Sequence, residues 1–147
     1  MTRALMLLIA AAAASSAAGT SPCKMALEVG NQNIMWTSDA YNCYLQYQTD
    51  ADKFSTNSKC TNYLSLTGYD AATCDPLVFN YIKCSLQAAK LLKPDNTLDD
   101  AAFQAIALNN QCSTDTNFAK AYPNCKSTTM KYLNVIRLFV CLGAAVP

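Results

Sequence analysis

The chain has no histidine. That removes the commonest general base, the Ser-His-Asp and Cys-His arrangements, and most catalytic zinc sites. Glu28 is the only glutamate, so a glycosidase carboxylate pair would have to be built from aspartates. Four glycines do not make a phosphate-cradling loop. Valine and isoleucine are sparse and no useful stretch alternates apolar with polar, so strands have little support. Asn57, Asn96 and Asn110 each fail the Asn-x-Ser/Thr pattern at its third position, so N-glycosylation is not expected. These gaps predict a protein that is not an enzyme and holds no metal and no cofactor.

The amino terminus carries the compartment signal. Met1 to Arg3 supply one positive charge, Ala4 to Ala14 are all apolar, and Ser15 to Gly19 are small. This is the order of a secretory signal peptide, and its apolar run is shorter than the ~20 residues of a membrane span. Residues 1–18 are therefore expected to be a cleaved signal, with cleavage after Ala18, and residues 19–147 a single domain. Without Arg3, ten basic side chains face ten acidic ones. That balance argues against nucleic acid as a partner. The apolar tail from Tyr132 onward includes Arg137 and is too short to span, so no transmembrane segment is expected.

Eight cysteines remain, Cys23, Cys43, Cys60, Cys74, Cys84, Cys112, Cys125 and Cys141. An even number in a secreted chain reads as four disulfides, of which eight cysteines allow 105 pairings. No C-x2-C or C-x4-C pair points to zinc. The segment from Asp95 fails as a calcium loop, with Asp100 where glycine belongs and Ile106 where glutamate belongs.

Helix signals are legible along the chain. Ser21-Pro22 opens a helix that Gly30 can end. A second covers Ser38 to about Gln48. A third runs from about Asp50 to Leu66, closed by Gly68. Asp75-Pro76 opens a fourth, which continues to Leu92. Thr97 and Asp100 resemble a capping box for a fifth, Leu98 to about Asn110. A short sixth lies between Thr114 and Tyr122, stopped by Pro123. The seventh spans Cys125 to Leu142. The predicted fold is all-α: a compact bundle of six or seven short helices stapled by four disulfides.

Two of these helices are more apolar than a surface helix requires. Between Leu77 and Leu92 the polar residues share one strip, and between Met130 and Leu142 only Lys131, Asn134 and Arg137 are polar. An ordinary amphipathic helix carries a stripe about 100° wide. Both helices are consistent with burial or with lining a pocket. On the pocket reading, Phe79, Ile82, Leu86, Leu133, Ile136 and Val140 are wall positions. Trp36, Tyr41 and Tyr44, with Tyr47 on the same helix, suit its entrance or a partner surface. In size and helical, cysteine-stapled style the chain resembles the odorant- and pheromone-binding proteins. It lacks their closely spaced cysteine pairs, its nearest being Cys74 and Cys84.

The functional expectation is a secreted, extracellular binding protein for a small apolar ligand such as a lipid, odorant or pheromone-like molecule. The alternative is an extracellular protein ligand, such as a toxin, pheromone or defence factor, acting on a receptor or target cell.

Overall fold

A computed structural model describes residues 20–147; the expected signal peptide lies outside the described residues. Seven α-helices form in order: α1 Pro22–Met35, α2 Ser38–Gln46, α3 Gln48–Thr56, α4 Ala71–Ala88, α5 Asp100–Ala102, α6 Thr116–Thr129 and α7 Val135–Ala145. A π-helical turn, Phe103–Ala107, extends α5, and a 3-10 turn, Met130–Tyr132, follows α6. Among the described residues the only strand-like pairing is an isolated bridge between Leu92 and Leu98.

Four disulfides join Cys23 to Cys112, Cys43 to Cys84, Cys60 to Cys74 and Cys125 to Cys141. They tie α1 to the segment after the π turn, α2 to α4, the 57–69 loop to α4, and α6 to α7. Such bridges act mainly by restricting the unfolded chain. The core they enclose is led by Phe103, Ile34, Ile82, Leu86, Leu91, Leu138 and Leu142, all fully buried. Phe103 packs on Tyr122 and Phe139 with ring centroids 5.9 and 5.5 Å apart, spacings typical of favourable aromatic pairs.

The opening cap of α1 is as expected: Ser21 Oγ accepts from the Lys24 amide at 3.1 Å. Several other helix boundaries fall elsewhere. Gly30 does not end α1. A Cβ there would stand 2.7 Å from Phe139 Cε1 and 2.8 Å from the Ala107 carbonyl oxygen, so this glycine admits α7 and the π turn against the helix. The third helix stops at Thr56 rather than near Leu66, because Cys60 is drawn to Cys74 and the chain turns through residues 57–69. Gly68, at φ 79°, serves that loop and not a helix end.

The fourth helix begins at Ala71, with Asp70 as its cap accepting from Thr73; Pro76 rides inside it and Asp75 is buried. Thr97 is not a cap: its hydroxyl donates to Asp95 at 2.6 Å, and Asp99 caps α5 instead. Pro123 does not stop the sixth helix, which continues to Thr129 and buries Cys125. A proline inside a helix forfeits one backbone bond, a loss this helix tolerates. The expected helix from Cys125 to Leu142 is two elements. Leu133 turns left-handed at φ 55°, and Asn134 caps α7 by accepting from the Arg137 amide at 3.2 Å.

Candidate functional site

The site grows from a buried polar network beneath a loop. Asn134 is 2% exposed and Asp75 5%. The Asn134 amide donates to Asp75 Oδ1 at 2.6 Å and to the Tyr69 hydroxyl at 3.2 Å. The Tyr69 hydroxyl donates to the same Asp75 oxygen at 2.6 Å. Burial, then the hydrogen bond to Asp75, push the Tyr69 phenol well above its ordinary pKa. Buried polar groups need such partners because desolvation without them costs several kcal/mol.

Arg137 carries the network outward. Its guanidinium lies 4.6 Å from the Tyr69 ring centroid and donates to the Tyr63 carbonyl at 2.8 Å. It also bonds the Ser65 carbonyl. Together with Cys60–Cys74, these contacts hold the 57–69 loop as a wall.

Behind that wall lies a cleft of about 530 Å³, within the range of small-molecule sites. Met35, Val78 and Ile82 are buried in its lining, with Asn134 beside them. Phe54 and Ala51 of α3, Tyr81 of α4 and Ile136 of α7 continue its walls. Trp36 and Leu64, 78% and 60% exposed, flank its mouth. Asn31, Ser55, Thr61 and the tyrosines supply polar groups, and among the described residues no charged side chain lines the cleft. Burial pushes the Tyr81 phenol up, which keeps that hydroxyl protonated.

The nine residues proposed for a pocket do not share one wall. Trp36, Tyr44, Ile82 and Ile136 meet in this cleft. Tyr41 stays outside it and stacks on Tyr44 at 6.3 Å. Phe79 and Leu133 line a different groove. Leu86 is fully buried in the core, and Val140 edges a shallow depression between α1 and α7. The separation has a geometric cause: α4 is packed on several sides, so its apolar positions face different neighbours. The lining residues of α3 and of the 57–69 wall went unread because the expected single helix from Asp50 to Leu66 gives no sign of the turn after Thr56 that folds this segment against α4.

Among the described residues no helix is long and apolar enough to cross a membrane. Four disulfides fit an extracellular protein. No protein-family model, curated protein or solved structure matches the chain.

Proposed function

We propose that the protein is a secreted, non-enzymatic carrier of a small, uncharged, apolar molecule held in the cleft behind the 57–69 loop. One observation carries this reading: an apolar cleft of about 530 Å³ with a buried floor and, among the described residues, no charged side chain in its lining. An ionised ligand would lose its hydration there without a counter-charge, a cost of several kcal/mol. A hydrocarbon body with a hydroxyl or an amide N–H would lose far less, because the buried Asn31 side-chain oxygen has no partner among the described residues and the Tyr44 and Thr61 hydroxyls, which donate to Asp52 and Ser58, can still accept.

The test is native mass spectrometry of the oxidised protein from its own source. A small molecule released on gentle activation supports the carrier and reports its class. Ile136→Trp fills the wall with a larger ring and is expected to abolish that adduct while the protein stays folded. An adduct retained by the variant would move the ligand out of this cleft.

Trp36 supports a second reading. An indole 78% exposed beside an exposed Leu64 is also the form of a receptor contact. On that reading the protein is itself an extracellular ligand, its mass spectrum is clean, and Trp36→Ala removes binding to target cells.

A further inference from the structure

The groove that takes Phe79 and Leu133 shares no lining residue with the cleft behind the 57–69 loop. It encloses about 720 Å³ between α4, the turn before α5, α6 and the 3-10 turn. Phe79, Leu98, Met130 and Leu133 give it an apolar floor. Its electrostatics differ from those of the first cleft. Lys83, Lys126 and Lys131 place their ammonium groups 5.9, 5.9 and 5.5 Å from the ring centroids of Phe79, Tyr122 and Tyr132. Phe79 and Tyr132 meet edge to face at 6.2 Å, so two of these rings form one platform.

The polar groups around the groove are mostly occupied. Asp100, the only carboxylate in the lining, receives the Tyr122 hydroxyl at 2.7 Å and the Lys126 ammonium. Burial draws its carboxyl upward, but the bonds from Lys126 and Tyr122 outweigh that and hold it below the usual carboxylate range. It therefore stays ionised and keeps Lys126 neutralised. The Asn96 side chain accepts from Gln87, the Thr97 hydroxyl donates to Asp95, and the Ser127 hydroxyl donates to the Asn124 carbonyl. Among the described residues, Lys131 is left as the one polar side chain of the lining with neither a hydrogen bond nor an ion pair. Lys83, over the other ring of the Phe79–Tyr132 pair, also has no carboxylate partner among the described residues.

An apolar floor beneath unneutralised ammonium groups selects a molecule that is apolar along its body and negative at one end. We propose that this groove is a second binding site, for an amphipathic carboxylate. Its hydrocarbon lies over Phe79, Leu98 and Met130, and its carboxylate is held by Lys131 with Lys83 contributing field. The groove is more open than the first cleft, so affinity rests on the charged head as much as on buried area. A neutral alcohol of the same chain length lacks that term.

The test is titration of the isotope-labelled, fully oxidised protein, followed by amide chemical shifts, with sodium decanoate and 1-decanol as probes. Decanoate is expected to move the amides around Phe79, Leu98 and residues 126–133, and 1-decanol to move them more weakly at equal concentration. Lys131→Glu replaces attraction by repulsion at an exposed position. It is expected to weaken decanoate binding at least about fivefold, against about twofold for Lys131→Gln. Unchanged circular dichroism and melting of both variants exclude unfolding as the cause. Added salt is expected to weaken decanoate binding by screening. Decanoate shifts confined to the cleft around Trp36, or equal affinity in Lys131→Glu, would overturn the proposal. Because the two sites share no residue, either result leaves the neutral cleft to its own test.

Discussion

Asn134 links three parts of the molecule with one side chain. Its oxygen caps α7, and its amide binds both Asp75 and Tyr69. Leu133 accepts a left-handed backbone to put it there, at a cost of about 1–3 kcal/mol. Asn134→Ala removes the cap and leaves Asp75 buried with one fewer donor. The lost cap costs about 0.5–2 kcal/mol and the lost donor about 1–3 kcal/mol, so the variant is expected to lose about 2–5 kcal/mol in urea unfolding. A loss under about 1 kcal/mol would show that Asp75 finds another donor or reaches water. None of this was legible locally. Asp75-Pro76 reads as a helix start, and Asn134 reads as one polar residue in an apolar run. Their contact joins positions 59 residues apart. Ile82 and Leu86 make the same point: both are apolar, one turn apart and fully buried, yet only Ile82 lines the cleft.

At the scale of the element, the starts of α1 and α2 were legible and most other boundaries were not. Ser21 caps α1 through an amide three residues away, and such signals are local. Ends depend on what the following chain must reach. Cys60 ends the α3 region early because its partner is on α4, and the cap at Asn134 splits α6 from α7. The end of α4 shows the exception, a stop signal with an unusual residue. Leu91 donates to the Leu86 carbonyl at 2.9 Å and Lys90 to the Gln87 carbonyl at 3.0 Å, the pattern of a Schellman cap. The left-handed position is Lys90, at φ 58°, where glycine is usual. Leu91 and Leu86, both buried, supply its apolar contact. Lys90 is exposed, so Lys90→Gly relieves the backbone and removes no core contact. It is expected to stabilise the protein by about 0.5–1.5 kcal/mol, read as a higher urea midpoint at unchanged slope. A destabilised variant would mean that the Lys90 side chain makes a contact worth more than the strain.

For the whole molecule the disulfides set the scale of stability. Cys23–Cys112 closes 89 residues and Cys60–Cys74 closes 14. Chain-entropy arguments assign them about 4.6 and about 3 kcal/mol. Replacing both cysteines of the long bridge by alanine is therefore expected to lower the melting temperature more than the same change at the short one. The short bridge also holds the wall of the first cleft, so its loss is expected to weaken ligand retention out of proportion to its effect on melting. Equal losses of retention in the two variants would remove Cys60–Cys74 from the site.

The all-α class, the participation of every cysteine in a bridge and the first helix cap can be read from the residues alone, because composition, an even cysteine count and side chain–backbone capping act within a few residues or need no partner identified. Which cysteines pair, the separation of α6 from α7, and the division of the apolar positions between a neutral cleft and a lysine-edged groove emerge only in the folded chain. Those outcomes depend on contacts between residues distant in the chain, such as Asn134 with Asp75 and Arg137 with the 57–69 loop, and a helical periodicity records which face is apolar but not what lies opposite it.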